Sequence, residues 1–232
     1  FGKRNEILDK RTTNKWIIID KDLEVNIDEA EVLYYVKNLS KKYNTMGTTR
    51  NFKTSTGKTA EVKGGLYGWK IDEWAETESL IKNIFLGSVI EKEPIYIQKA
   101  RSRDENDIGD TYVEINITKQ YLWFYKNGKP LVQSNIVSGN PTKGYQTVLG
   151  TYALNYKQEN VILKGEDYET NVNYWMPFFG NIGIHDARWR YSFGKEIYKH
   201  SGSHGCVNVP LYVAKIIFEN IETGTPIVCY EE

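Results

Sequence analysis

The spacing of apolar residues changes near residue 93 of the chain. Before that point, two segments carry apolar residues on one helical face, the first from about Asn26 and the second from about Asp72. Asp72 can cap the second helix, which we expect to run to about Phe85 and to end ahead of Gly87. The pattern predicts a small α+β module over residues 1–93.

From residue 94 onward, apolar and polar residues alternate with the period of a strand, as in Tyr112–Ile117. The dipeptide Asn127-Gly128 between two such runs is a strong signal for a tight hairpin. Short strands separated by turn residues favour a mainly β domain over residues 94–232. One helix is expected near the C-terminal end, from Pro210 to Asn220.

Composition narrows the class of partner. Thirty basic and thirty acidic side chains cancel in a chain of 232 residues, which argues against nucleic acid and anionic membranes as main partners. No window approaches the roughly 18 apolar residues of a membrane span. The chain begins at Phe1 without a methionine, so we expect an excised piece of a protein that is exported or membrane-anchored through upstream sequence.

The segment Ser201–Pro210 holds one of the two cysteines, Cys206, with His204 two residues ahead of it. A second histidine, His185, lies 21 residues upstream of Cys206. A thiol nucleophile needs a base within hydrogen-bond reach and backbone N–H groups aimed at a developing oxyanion. We therefore expect Cys206 as nucleophile and His185 as general base. A helix beginning at Pro210 would favour the thiolate through its positive end.

The residues around Cys206 are candidates for the oxyanion hole and for orienting the site. Gly205 lets the backbone approach a substrate closely, and the N–H groups of Gly205, Cys206 and His204 are the expected donors, with Ser203 beside them. Asp186 follows the base directly. Because neighbouring side chains in a strand point to opposite faces, we expect its backbone carbonyl to orient the imidazole.

Other interpretations of these residues stay open. His204 could compete with His185 for the base role. His185, His204 and Cys206 could ligate zinc, although a spacing of two residues is uncommon between ligands. We expect no metal and no cofactor. Cys229 lies in an apolar run, and a small inert core residue is its expected role.

At these residues the chain resembles the L,D-transpeptidases, the cysteine enzymes that cross-link bacterial peptidoglycan. The motif is His185 followed by the run Ser203–Asn208, and further matches lie at Ile136–Gly139 and Ile182–Asp186. Where the family usually has a proline after threonine, this chain has Val148. Residues 26–90, with the glycine-rich run Gly64–Trp69, resemble the module that precedes the catalytic domain in several such enzymes and is thought to bind peptidoglycan. A purely scaffolding role is the alternative for this module.

The resemblance implies a β-sandwich and a thioester mechanism. Cys206 would attack the carbonyl of the third residue of a tetrapeptide stem, release D-alanine, and pass the acyl group to an amine of a neighbouring stem. Carbapenems would acylate Cys206. The partners would be peptidoglycan stems at the cell wall or outer face of a Gram-positive bacterium. Candidate walls of the donor cleft are Trp175, Met176, Tyr174 and Asn208.

Two other functions remain open. An L,D-carboxypeptidase or cysteine peptidase would use the same acyl-enzyme with water as the acceptor. A non-catalytic wall-binding protein would need neither Cys206 nor His185. The sequence leaves the acceptor, the linkage and the oligomeric state undetermined.

Overall fold

The structure, a computed structural model, describes residues 4–165 and 169–232. Its helices are Lys10–Thr13 (α1), Glu29–Tyr43 (α2), Glu73–Phe85 (α3), Ile197–Ser201 (α4) and Leu211–Asn220 (α5). Its strands are Ile17–Ile19 (β1), Val25–Ile27 (β2), Arg50–Lys53 (β3), Thr59–Val62 (β4), Lys70–Ile71 (β5), Tyr96–Gln98 (β6), Tyr112–Asn116 (β7), Tyr121–Lys126 (β8), Lys129–Asn135 (β9), Gly150–Ala153 (β10), Gln158–Lys164 (β11), Glu169–Phe179 (β12), Ile182–Asp186 (β13), Val207–Val209 (β14) and Pro226–Tyr230 (β15). None of the described helices has both the length and the apolar character that crossing a bilayer requires.

The chain folds into two compact units whose segments interleave. The first contains the residues up to Met46 together with Gly68–Asp107, and the second contains Gly47–Tyr67 and Ile108–Glu232. The division differs from the single boundary expected at residue 93. Strand β6, which follows that boundary, pairs with β5 in the first unit, whereas the β3–β4 hairpin precedes it and belongs to the second unit.

The first unit contains the two amphipathic helices that the sequence predicts. Asp28 caps α2 by accepting the N–H groups of Ala30 and Glu31. Asp72 caps α3 through the N–H of Ala75, and the chain leaves that helix at Gly87, whose φ is 60°. Both expected helices are confirmed, although α2 begins at Glu29 rather than near Asn26, which lies in β2 and pairs with Ile18.

The second unit is a sandwich of two sheets with α5 packed against it. The larger sheet has the strand order β10-β15-β7-β8-β9 and the smaller one β11-β12-β13-β14. Side chains from both sheets and from α5 form one core, including Val113, Leu122, Phe124, Met176, Ile184, Val207 and Ile217. The expected mainly β domain with a C-terminal helix is confirmed. Asn127 and Gly128 both have positive φ in the β8–β9 turn, as a tight hairpin requires.

Within the second unit, the glycine-rich segment adds a short edge to the larger sheet. Gly65 forms a bridge with Thr151, and the Tyr67 N–H donates to the Thr151 carbonyl over 3.0 Å. A Cβ on Gly65 would lie 2.0 Å from the Thr151 oxygen, so only glycine permits this approach.

The aromatic side chains of that segment are buried rather than presented to a ligand. Tyr67 is buried in the second unit. Trp69 is buried in the first unit, where its ring packs against Tyr96 and its Nε1–H donates to the Ser102 carbonyl over 2.7 Å. Tyr67 therefore contributes to the interior of the second unit, and Trp69 to the interior of the first.

The close approach at Gly65 yields a test of stability. Gly65→Ala should lower the free energy of unfolding by about 3 kcal/mol, because a left-handed φ costs about 1 kcal/mol and overpacking about 2 kcal/mol. Gly64→Ala is the matched control, since Gly64 has a similar positive φ but open space around its Cβ. Urea unfolding measures both variants, and equal losses would contradict the packing argument.

Candidate active site

The candidate residues lie in a row across three strands of the smaller sheet. Trp175 of β12 pairs with His185 of β13, and His185 pairs with Asn208 of β14. Residues paired across neighbouring strands point to the same face. The next row, Met176, Ile184 and Val207, points into the core, so the row that contains His185 faces outward.

Hydrogen bonds fix the imidazole of His185 at both nitrogens. Nδ1 lies 2.8 Å from the backbone carbonyl of Asp186, which can only accept, so Nδ1 carries the hydrogen. Nε2 is then an acceptor and receives the Asn208 amide over 3.0 Å. Arg190 Nε donates to Asn208 Oδ1 over 2.8 Å and thereby determines which end of the amide faces the ring.

The protonation of His185 follows from its surroundings. Burial lowers the pKa of His185 below its ordinary value, and this exceeds the opposing effect of the carbonyl and carboxylate of Asp186. The imidazole is therefore neutral at neutral pH, the form that a general base needs. The Asp186 carboxylate itself lies elsewhere: its Oδ1 accepts the N–H groups of Asn173 and Tyr174, both over 2.8 Å.

Cys206 lies at the edge of this row with its thiol largely covered. It is 7% exposed and packs with Val172 and Trp175. Its Sγ is 3.5 Å from the Asn181 carbonyl oxygen. Burial raises the pKa of the Cys206 thiol to about 11, although a backbone hydrogen bond from Gly183 acts in the opposite direction.

The position of Cys206 corrects the expectation that a helix N-terminus stabilises its thiolate. Strand β14 and then Pro210 separate the cysteine from α5. Three extended residues span about 10 Å, and the effect of a helix dipole falls off within about one turn. Among the described residues, the Gly183 hydrogen bond is the contact that favours the thiolate.

The turn before Cys206 is held together by Ser203. Ser203 Oγ accepts the Gly205 N–H over 3.1 Å and donates to the Cys206 carbonyl over 2.5 Å. Gly205 adopts a φ of 115°, which is strongly unfavourable for residues that have a Cβ. The Gly205 N–H is thus used inside the turn, whereas the Cys206 N–H has no acceptor among the described residues.

Thr147, from another segment of the chain, also holds this turn in place. Thr147 Oγ1 donates to the Gly205 carbonyl over 2.7 Å and accepts the Gly139 N–H over 2.9 Å. Thr147 is buried, so these two bonds hold the segment although Val148 replaces the proline of the family pattern. Gly139 also forms a bridge with Ser203.

One cavity brings five of the ten predicted site residues together. It has a volume of about 210 Å³, and both His185 and Cys206 line it. The other predicted residues in its lining are Ser203, His204 and Asn208. Sequence reasoning missed Leu163, Thr170, Trp189, Arg190 and Gly202, which also line it. Gly202 lies inside the segment Ser201–Pro210 that the sequence singles out, whereas no sequence motif marks the other four, which the fold brings to the cavity.

The expected cleft residues point to two different faces of the smaller sheet. Trp175 stays beside the site, with its ring 5.9 Å from that of His185. Met176 and Tyr174 pack with the core instead, and Tyr174 contacts Phe218 of α5. The expectation that these two line the cleft is therefore corrected, because the pleat turns both away from the row of His185.

The other candidate base, His204, and the second cysteine, Cys229, have other environments. His204 is exposed, lines the cavity and packs its ring 4.5 Å from that of Tyr145. Cys229 is fully buried in β15, and both cysteines are free thiols. Burial raises the pKa of Cys229, which keeps that thiol neutral. A neutral imidazole and a thiol lining one cavity can perform nucleophilic acyl transfer.

Comparison with known families matches both parts of the chain. Residues 110–229 match the family described as "L,D-transpeptidase catalytic domain", and residues 1–89 match the one described as "Putative peptidoglycan binding domain". A comparison with curated proteins returned no match.

Solved structures resemble nearly the whole chain. The crystal structure of an Enterococcus faecium L,D-transpeptidase, a cysteine-to-serine mutant, is 36% identical, covers 96% of this chain and 90% of its own, and has a TM-score of 0.80. The structure of the Ldtfm-avibactam carbamoyl enzyme is 36% identical, covers 97% and 89% respectively, and has a TM-score of 0.81.

The raised pKa of Cys206 yields a prediction for its reactivity. Below a thiol pKa of about 11 the thiolate is the minor form, so alkylation of Cys206 by iodoacetamide should accelerate about tenfold per pH unit between about pH 7 and pH 10. Intact-mass spectrometry measures the rate. Cys206→Ala should remain unlabelled, because Cys229 is inaccessible. A rate that is already constant above pH 7 would instead indicate a preformed thiolate–imidazolium pair.

Proposed function

The chain belongs to the L,D-transpeptidase family and acts on peptidoglycan, and on that premise we propose that Cys206 is its nucleophile and His185 its general base. The observation that supports these roles is that both side chains line one cavity, with the imidazole held by Asp186 and Asn208. His185 rather than His204 is the base, because its burial keeps it neutral and two hydrogen bonds fix its orientation.

In the acylation step, Cys206 Sγ attacks the carbonyl carbon of the third stem residue while the thiol proton passes to His185 Nε2. Nε2 must exchange its hydrogen bond from Asn208 for this proton. The tetrahedral intermediate collapses as the carbon–nitrogen bond breaks, and the imidazolium gives its proton to the amine of the departing D-alanine. A thioester on Cys206 remains.

The oxyanion of this step needs preorganised donors. We assign the Cys206 N–H as the principal donor, because the described residues leave it without an acceptor. Gly205 and Ser203 shape the turn that aims it, since the Gly205 N–H is donated to Ser203 Oγ. His204 forms the adjacent wall of the cavity.

The thioester is then resolved by an amine of a neighbouring stem. The amine attacks the thioester carbon and gives its proton to His185. As the carbon–sulfur bond breaks, the imidazolium returns this proton to Cys206 Sγ, which restores the thiol. Water in place of the amine would make the protein an L,D-carboxypeptidase. The ratio of cross-linked dimer to free tripeptide measures this partition.

The remaining assignments concern place and partner. In line with the two family matches, we assign the N-terminal module, expected over residues 1–93, to peptidoglycan binding or scaffolding and the part expected over residues 94–232 to catalysis. Within these ranges, residues 47–67 belong to the second compact unit and residues 94–107 to the first. The substrate places the protein outside the cytoplasm, at the cell wall. The 36% identity to the Enterococcus faecium enzyme favours a Gram-positive bacterium.

The first prediction of this mechanism concerns the nucleophile. Wild-type protein incubated with a carbapenem or a tetrapeptide stem should gain one covalent adduct in intact-mass spectrometry, and Cys206→Ala should gain none. Cys229→Ala is the control, and its adduct should equal that of the wild type because Cys229 is fully buried. An adduct that persists in Cys206→Ala would refute the assignment. A wild type that gains no adduct would favour a non-catalytic wall-binding protein.

The second prediction concerns the base. His185→Ala should slow acylation by a tetrapeptide about 10²- to 10⁴-fold, because proton transfer to and from a positioned group is lost. His204→Ala should slow it far less, since that ring is exposed and packs on Tyr145. Single-turnover mass spectrometry measures both rates. The opposite ranking would transfer the base role to His204.

A further inference from the structure

Arg190 lines the same cavity as Cys206. It follows β13 in a turn closed by a hydrogen bond from its N–H to the Ala187 carbonyl. Its side chain reaches back into the cavity, where Nε donates to Asn208 Oδ1 over 2.8 Å. Only the Asn208 amide therefore separates the guanidinium from the imidazole of His185.

The guanidinium is half-buried, and no acidic side chain of the described residues pairs with it. Partial burial removes part of the hydration of this charge, which lowers the pKa of Arg190. Within residues 4–165 and 169–232, no carboxylate forms an ion pair with Arg190. The described residues that line the cavity include no Asp or Glu, but they do include two histidines besides Arg190.

A partly desolvated guanidinium that has no carboxylate partner among the described residues gains stability when an anion binds to it. Its Nε is already used by Asn208, which leaves the two terminal NH₂ groups of the fork. Guanidinium groups bind carboxylates through such parallel N–H donors with well-defined geometry. The observations therefore call for a carboxylate ligand in this cavity.

The donor stem of the proposed reaction supplies a carboxylate at the required place. Its terminal D-alanine carries a free carboxylate that follows the scissile amide after a single Cα atom. A group so close to the carbonyl attacked by Cys206 must enter the same cavity. We propose that Arg190 binds this terminal carboxylate and so selects a donor that ends in a free acid immediately after the scissile bond.

This inference rests on the proposed function, and it explains how the enzyme would choose its donor. A stem extended by another residue, or amidated at its end, places a neutral amide beside Arg190 and leaves the cation unpaired. Discrimination then comes from an uncompensated charge in the wrong complex as well as from attraction in the right one. Arg190 is a substrate-binding residue in this account, and the proton transfers remain with His185.

The test compares a tetrapeptide stem having a free D-alanine carboxylate with the same peptide having a terminal D-alaninamide. The wild type should acylate from the acid at least about tenfold faster than from the amide, in kcat/KM. In Arg190→Gln this ratio should fall to about one, mainly through loss on the acid. Arg188→Gln is the matched control: Arg188 is exposed and lies outside the cavity lining, so its ratio should equal that of the wild type.

Two results would overturn the inference. If Arg190→Gln slows both peptides equally, Arg190 acts only by holding Asn208 or reads a different carboxylate of the stem. If the wild type accepts acid and amide equally, the cavity has no carboxylate site, while the transpeptidase assignment stands.

A binding measurement separates this inference from the proposed function. Calorimetric titration of Cys206→Ala with each peptide needs no turnover. A dissociation constant about tenfold lower for the acid, lost in Cys206→Ala/Arg190→Gln, supports the carboxylate site even if the wild type forms no acyl-enzyme. Equal or absent binding of both peptides refutes it.

Discussion

The register of three strands is the constraint on which the site depends. Because β12, β13 and β14 pair Trp175, His185 and Asn208 side by side, one outward row holds the base and the amide that fixes it. The neighbouring row of paired residues, Met176, Ile184 and Val207, points into the core. A slip of one residue would exchange the two rows and place the imidazole in the core.

Burial at this row determines the chemistry of the resting site. Covering the thiol and the imidazole raises the pKa of Cys206 and lowers that of His185, so both groups are neutral before substrate binds. Deprotonation is then coupled to attack rather than completed in advance. Arg190 adds to this effect, because its positive charge near His185 also lowers the pKa of the imidazole.

Contacts between distant segments hold the second unit together, and one of them holds the turn before Cys206. Thr147 ties the Gly205 carbonyl to the Gly139 N–H, and Gly65 lies directly against Thr151 of the larger sheet. In the same unit, the buried carboxylate of Glu114 accepts the N–H and hydroxyl of Ser55, which anchors the residues that lead into the β3–β4 turn. These contacts involve groups far apart in the chain, and each satisfies a polar atom that would otherwise be buried without a partner.

Local pattern in the sequence determined the two capped helices, the Asn127-Gly128 hairpin, the mainly β second part and the family motif around Cys206, because each depends on residues close together in the chain. Tertiary structure decided what depends on distant pairing. It assigned residues 47–67 to the second unit, turned Met176 and Tyr174 into the core, inserted β14 between Cys206 and α5, and brought Arg190 to the cavity. Spacing along the chain predicts which residues share a strand face, but only the pairing of strands decides which face meets the core and which lines a cavity.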